Sequence, residues 1–449
     1  MAVISDHCPD IDVTLVDKDK IKIEAWNSED LSKLPIFEPG LKGVVRRNRG
    51  KNLFFSCEIE EAIKEADMIF ISVNTPTKIK GLGAGYASDL KWVESSARLV
   101  AEYSEGHTIV VEKSTVPVRT AELIQEILGN TKKEIHTKNK KTYSVISSPE
   151  FLAEGTAIKD LENPDRVLIG GSDKIAVNLL KEIYSRWIST DKILLTNVWS
   201  SELSKLIANA FLAQRVSSIN SISALCESTG ADIHEVVKAI GSDKRIGEKF
   251  LSPGPGFGGS CFKKDILNLV YLCRHYKLEE TASYWEQVLF INDWQKQRIS
   301  SLIIEKFFGT VSNKKILILG FAFKCNTNDT RESPSIRITK DLIENGAKLF
   351  INDPKVKKKQ IEKELNIKEF ELDELSLGSW SFASNIENYS EDIDAIIILT
   401  EWPEYLAINW EKISSKMRRP AWIFDTRNII AEKIVNKLDI NYWQIGKTR

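Results

Sequence analysis

Along most of the chain, short unbroken apolar runs alternate with longer stretches in which apolar residues recur at helical spacing. The first runs are Ile11–Asp17, Asp67–Val73, Thr108–Glu112, Tyr143–Ser147 and Arg166–Gly170. Their β-branched content predicts strands. Strands apolar on both faces belong in sheets covered on both sides, and their alternation with helices predicts an α/β fold of parallel sheets. From Ser201 to Gly230 the pattern changes, with Leu203, Leu206, Ile207, Ala210, Phe211, Ile219, Ile222 and Leu225 recurring mostly at helical intervals. Ser200 or Ser201 is the expected cap at its start and Gly230 its stop. Such a helix of roughly 28 residues would span ~42 Å, enough to join two domains and carry a second chain on its side. Helical pattern continues to about Phe308.

The last third repeats the first. Lys315–Gly320 reads as a strand, Ser335–Asn345 as a helix, and Lys348–Asp353 as a strand ending in an acid. Asp394–Leu399 and Trp422–Asp425 echo the Asp67 and Thr108 strands. The expected organisation is therefore two Rossmann-like domains, residues 1–195 and 309–449, around a helical centre at 196–308. The comparison also exposes a difference between the copies. A strand ending in a carboxylate, like Ile11–Asp17, is how the second strand of a dinucleotide fold finishes, and the glycine loop lies ~20 residues earlier. That count places the loop, and the strand before it, ahead of Met1. Without that strand two buried strands lose their shared neighbour, so the expectation is a first domain that folds and holds a dinucleotide poorly. Gly81-Leu-Gly-Ala-Gly-Tyr86 does not replace the loop, because the third position of either glycine register falls on Tyr86 or Ser88. A mobile loop is expected there.

Composition narrows the class. The chain has 449 residues, 42% hydrophobic and 28% charged, with a net charge of −1, which provides no basic field for nucleic acid or an anionic membrane. No apolar run approaches the ~20 residues of a membrane span. Six cysteines and five histidines show no metal-finger spacing and no CxxC pair, so neither a metal site nor a disulfide framework is expected. A reduced, cytoplasmic protein is the expectation.

Candidate chemistry concentrates in Pro253-Gly-Pro-Gly-Phe-Gly-Gly-Ser-Cys-Phe-Lys-Lys-Asp265. Glycine and proline there make an irregular, closely approachable backbone, and Cys261 stands just before a helical pattern. A helix N-terminus favours a thiolate, hence a nucleophile. Cys226 and Cys273, on helical faces, read as buried structural thiols. Lys205 and Asn209, four apart on the long helix, fit the wall of a site better than a solvated face. Glu150 and Glu154 follow a strand in Ser147–Glu154, at the end of a parallel sheet where ligands sit. Glu150 there reads either as a water-activating base or as a helix-terminus charge. These residues alone suggest a nicotinamide-linked enzyme with a covalent cysteine step.

Taken together, "LPIFEPGL", "ISVNTPTK", "VEKSTVPVRTAE", "SPEFLAEGTAIKDLENPDRVLIGG", "WSSELSKLIANAFLAQRVSSINSISALCESTGAD", "GFGGSCFKKD", "ILGFAFKCNTNDTRESPS" and "IFDTRN" resemble, in order and from about Val3 onward, the UDP-glucose 6-dehydrogenases in their animal-like form. The resemblance implies NAD as cofactor and a four-electron oxidation of UDP-glucose to UDP-glucuronate through a cysteine thiohemiacetal and thioester. It places Cys261 as nucleophile and Lys205 with Asn209 at the oxyanion. Asp265 falls at proton transfer, Glu150 at thioester hydrolysis, and Thr115 where a water is held. Asp17, Lys22, Thr115, Glu154 and Arg331 fall at cofactor positions. Glu150, Lys205, Asn209, Phe250, Leu251, Gly256, Phe257, Phe323, Lys324 and Arg427 fall at the sugar nucleotide. Arg245 matches an arginine that reaches a neighbouring subunit, which implies self-association as a dimer or a hexamer of dimers. Lys22 stands where the animal enzymes usually have arginine, and Ser252 where they often have lysine. The rival expectations are a cofactor-deficient chain that still binds UDP-sugar and oligomerises, and a dehydrogenase for GDP-mannose or UDP-N-acetylmannosamine.

Overall fold

The computed structural model describes residues 1–130, 141–369 and 378–448. Two compact units divide the chain: Met1–Ala208 with Leu267–Glu279, and Asn209–Ile266 with Glu280 to the C-terminus. The helix Val198–Thr229 begins in one and ends in the other. It starts three residues before the expected position, because the Asn197 side-chain oxygen accepts the Ser200 N–H at 2.8 Å and acts as the cap expected of a serine.

Among the described residues the first unit holds seven strands in two sheets. β1 (Val13–Val16) pairs in parallel with β2 (Leu53–Ser56) alone. β3 (Met68–Ile71), β4 (His107–Glu112), β5 (Thr142–Ser147), β6 (Val167–Gly170) and β7 (Ile193–Thr196) form a five-stranded sheet in that order. All its pairings are parallel except a single antiparallel bridge from Ser147 to Gly170. Alternate residues of β4 serve opposite faces, which is why the strand reads as continuously apolar. Val110 packs with Val93, Val100, Ile124 and Leu128 of two helices on one face. Ile109 and Val111 pack with Val177 and Leu180 of the helix Lys174–Ser185 on the other. Among the described residues no strand bonds β1 to β3, so both present an unpaired edge.

The second unit shows what a strand in that position does. Its six-stranded parallel sheet has the order β10-β9-β8-β11-β12-β13, where β8 is Lys315–Leu319, β9 Lys348–Asn352, β10 Ser379–Phe382, β11 Ala395–Ile398, β12 Trp422–Asp425 and β13 Asn441–Gln444. β8 lies at the centre, bonded to both β9 and β11. The chain winds outward one way through β9 and β10 and the other way from β11, so the switch point falls at the carboxyl ends of β8 and β11. One buried core, from Ile299 through Ile316–Leu319, Leu342, Ile396–Ile398 and Trp402 to Phe424, covers this sheet.

The acid after β9 is consumed internally. Asp353 is 5% exposed and accepts the backbone N–H groups of Phe321, Ala322, Lys355 and Val356 at 2.7–2.9 Å, and the Trp402 indole N–H at 3.1 Å. Asp353→Ala strands five donors, four of them buried, each worth on the order of 1 kcal/mol. We expect a loss of about 3–5 kcal/mol in urea unfolding of the second unit. A loss below about 1 kcal/mol would mean that water replaces the carboxylate.

Candidate active site

In the first unit, the carboxyl ends of β3, β4 and β5 bring together the segments that follow them. Ser114, after β4, accepts the Val73 N–H at 2.9 Å and donates to the Val73 carbonyl at 2.8 Å. The Thr75 hydroxyl donates to the Thr115 carbonyl at 2.7 Å. These three bonds fix Thr115 at the strand ends, and neither Ser114 nor Thr75 stood out by spacing. Glu150 lies three residues beyond β5 and receives the Phe151 N–H at 3.2 Å on one oxygen and the Lys113 ammonium at 3.0 Å on the other. Phe151 carries two cations over its ring, Arg166 at 4.0 Å and Lys205 at 5.3 Å. Lys205 is 7% exposed, buried rather than solvated. Beside it, Glu202 is buried and accepts the Arg119 and Ala121 N–H groups at 2.7 Å, capping the helix Thr120–Gly129. Burial raises the pKa of Glu202, and burial followed by the nearby Glu202 charge raises that of Glu112.

Asp17 follows β1 with its side chain 36% exposed, accepting the Asp19 N–H at 3.0 Å and pairing with Lys22 at 3.4 Å. In contrast to Asp353 it keeps acceptor capacity turned to solvent, which fits a ribose hydroxyl. Glu154, four residues beyond Glu150, is half-buried; its neighbours Gly155 and Ala157 donate their N–H groups to Glu38 at 2.9 and 2.8 Å. The Gly81–Tyr86 segment is a series of turns, and Gly83 sits against Tyr271 and Ala87, so close packing rather than a phosphate accounts for that glycine.

In the second unit the loop before Cys261 is held from within by buried carboxamides. Asn220 accepts the Gly254 N–H at 2.8 Å, Gln295 donates to the Gly254 carbonyl at 2.9 Å, and Asn292 bonds both the N–H and the carbonyl of Phe257 at 2.7 and 3.1 Å. Gly256 has φ +128°, and a Cβ there would lie 2.9 Å from the Asn292 oxygen. A Cβ on Gly258 would meet the Glu332 carbonyl at 2.7 Å. Cys261 is a free, exposed thiol whose carbonyl accepts the Asp265 N–H at 2.9 Å, so it occupies the N-terminus of the helix Phe262–His275. Cys226 and Cys273 are buried, and burial raises both thiol pKa values. Asp265 is 1% exposed, accepts the Asn209 amide at 2.5 Å and lies 3.0 Å from the Lys264 ammonium.

Around that loop the unit gathers most of the expected substrate residues. Phe250, with φ +63°, packs on Phe262 at 6.5 Å, while Leu251 and Phe257 are buried. Gly259 donates to the Arg331 carbonyl at 2.8 Å. Phe323 and Lys324 follow β8, with the Lys324 ammonium 5.5 Å from the Phe323 ring. Arg427 follows β12 and donates to the Leu399 carbonyl at 2.9 Å and the Phe323 carbonyl at 3.4 Å. Arg245 stands apart: it pairs with Asp243 at 2.6 Å and its side chain is 90% exposed. Asn292 and Gln295 lie outside the motifs, and Asn220 lies inside one without being singled out; all three are on long helices, where a buried amide has no sequence signal distinct from a surface one.

Among the described residues, no group of His, Cys, Asp and Glu could hold a metal ion, and no helix is long and apolar enough to cross a membrane.

Comparison with known proteins agrees with this geometry. Three models of one family match: residues 1–188 its NAD binding domain, 199–294 its central domain and 317–432 its UDP binding domain. The UDP-glucose 6-dehydrogenase of Gallus gallus is 53% identical over 448 residues, covering 99% of this chain and 89% of that protein. UDP-glucose 6-dehydrogenase 4 of Arabidopsis thaliana is 50% identical over 460 residues, covering 100% and 94%. A solved UDP-glucose dehydrogenase from Pyrobaculum islandicum superposes with a TM-score of 0.83 at 29% identity, over 99% of this chain and 94% of that one. The chain belongs to the UDP-glucose/GDP-mannose dehydrogenase family, the NAD-dependent dehydrogenases whose N-terminal domain takes the dinucleotide and whose C-terminal domain takes UDP.

Proposed function

We propose that this chain oxidises UDP-glucose to UDP-glucuronate in two successive two-electron steps through a covalent intermediate on Cys261. The observation that carries the reading is a free, exposed thiol at a helix N-terminus, behind a glycine loop held in place by buried amides. The identity of the UDP-glucose 6-dehydrogenases it resembles supports the choice of substrate. Asp17, Lys22, Thr115, Glu154 and Arg331 are the residues that would hold NAD, which supplies the hydride acceptor for each step. The division into 1–195, 196–308 and 309–449 is the corresponding assignment of cofactor, central and UDP-sugar domains.

The chemistry follows from the side chains. Oxidation of the sugar C6 alcohol releases a proton, taken through a water held by Lys205 and Asp265, and leaves an aldehyde. The Cys261 thiolate adds to its carbonyl carbon, and the new oxyanion is stabilised by Lys205 and Asn209. Removal of a second hydride from this thiohemiacetal yields a thioester. A water then attacks the thioester carbon as Glu150 takes its proton; the C–S bond breaks and the Cys261 thiolate is restored. Phe250, Leu251, Gly256, Phe257, Phe323, Lys324 and Arg427 hold the nucleotide sugar, Arg427 and Lys324 supplying charge for the diphosphate.

Self-association belongs to the same reading. Phe211, Ile222 and Leu225 are 56%, 39% and 58% exposed on the long helix. Spacings of eleven and fourteen residues bring them within about 40° of one face. An apolar stripe of this kind covers itself against a second copy, and Arg245 is the side chain to extend beyond its own unit. Six unbridged cysteines fit a reducing, cytoplasmic setting.

Cys261→Ser is expected to lower steady-state NADH formation with UDP-glucose by at least about 10³-fold. Retained turnover would remove the covalent route, and a panel with GDP-mannose and UDP-N-acetylmannosamine checks the substrate. Leu225→Glu is expected to shift the mass measured by light scattering to that of one chain. An unchanged assembly would place the interface elsewhere.

A further inference from the structure

Lys113 has no part in the chemistry above, yet it is set where a charge needs a reason. It follows β4 directly, its side chain is 15% exposed, and its ammonium lies 3.0 Å from Glu150 Oε2 and 3.1 Å from the Tyr184 hydroxyl. Tyr184, on the helix Lys174–Ser185, is 3% exposed and packs on Trp187 at 5.4 Å, so its oxygen is a fixed point. Burial disfavours the charge on Lys113, but the Tyr184 oxygen and the Glu150 carboxylate outweigh it and raise its pKa above the ordinary lysine value. An ammonium so enclosed is held by its partners, and it holds them in turn.

We propose that Lys113, anchored by Tyr184, is the positioning residue for Glu150 in thioester hydrolysis. This rests on the role given to Glu150 above. The Phe151 N–H occupies one carboxylate oxygen of Glu150 and Lys113 the other, so the carboxylate has one orientation rather than several. A carboxylate keeps further lone pairs after both contacts, and these remain for a water proton. In the step served, the water oxygen forms a bond to the thioester carbon and its proton passes to Glu150. The C–S bond breaks and sulfur leaves as thiolate. Lys113 neither gives nor takes a proton in this balance. Its contribution falls on hydrolysis alone, because Glu150 has no part in either hydride transfer.

The test uses the full chain with UDP-glucose and NAD, comparing wild type, Glu150→Gln, Lys113→Met and Lys113→Arg. Rapid mixing reads NADH formed per enzyme in the first turnover, and intact mass after quenching reads the adduct on Cys261. Lys113→Met is expected to keep the NADH burst and the KM for UDP-glucose. Its kcat is expected to fall about 10- to 100-fold while the thioester accumulates. Lys113→Arg is expected to recover most of that rate. A fall in kcat with no thioester, or an unchanged kcat, overturns the proposal, since a purely structural lysine would slow all steps together. If Lys113→Met does not fold, Tyr184→Phe reads the same anchor. A slower hydrolysis with adduct supports the proposal, and a rate equal to wild type overturns it. A wild-type enzyme inactive on UDP-glucose sinks the functional reading itself. An active wild type whose Glu150→Gln variant shows no adduct sinks the role of Glu150. The two failures are therefore distinct from that of Lys113.

Discussion

Hydrogen bonds between buried carboxamides and the backbone of residues 254–257 are the interaction on which the placement of the exposed Cys261 depends. A loop of glycines and prolines has little side chain to pack and much backbone to satisfy, so left to itself it would sample many shapes. Asn220, Asn292 and Gln295 remove that freedom by pairing its N–H and carbonyl groups from two long helices. Each carboxamide is buried, so leaving it or its partner unpaired is costly, and the loop and the helices specify each other. Cys261 inherits its place at a helix N-terminus from this frame.

A second theme is one architecture used twice with different outcomes. Both units place an acid after a strand of a parallel sheet. In the second, Asp353 is filled by four backbone N–H groups and an indole, which ties the turn after β8 to the turn after β9. It has nothing left for a ribose. In the first, Asp17 meets one backbone N–H and a solvent-exposed lysine and keeps its outward face. The two acids at corresponding places are thus satisfied in different ways, one entirely from within and one in part by solvent. The two sheets differ in the same place: β8 joins β9 to β11, whereas β1 and β3 share no described neighbour.

Much of this was legible in the residues. Continuous apolar runs marked the central strands because a strand covered on both faces has no polar alternation to hide it. Cys261 was legible because loop composition and helix pattern meet there. The strands β2, β7, β10 and β13 were not singled out, although at four residues each they match β1 and β3 in length; serine interrupts the apolar residues of β10, and asparagine and glutamine bound the two of β13. The long helix was recognised but its cap was assigned to a serine, since Asn197 lay beyond the apolar repeat used to find it.

By itself the sequence determined the α/β plan, the repetition of its two ends and the family, because each rests on local composition or on motifs contiguous in the chain. Only the tertiary structure decided which polar residues are partners. Glu202 caps a helix more than eighty residues earlier in the chain, Asn292 holds Phe257, and Lys113 meets both Glu150 and Tyr184. A lysine or an amide looks the same in sequence whether it faces water or a buried carboxylate. The difference is made by burial, which turns an ordinary hydrogen bond into one that must be kept.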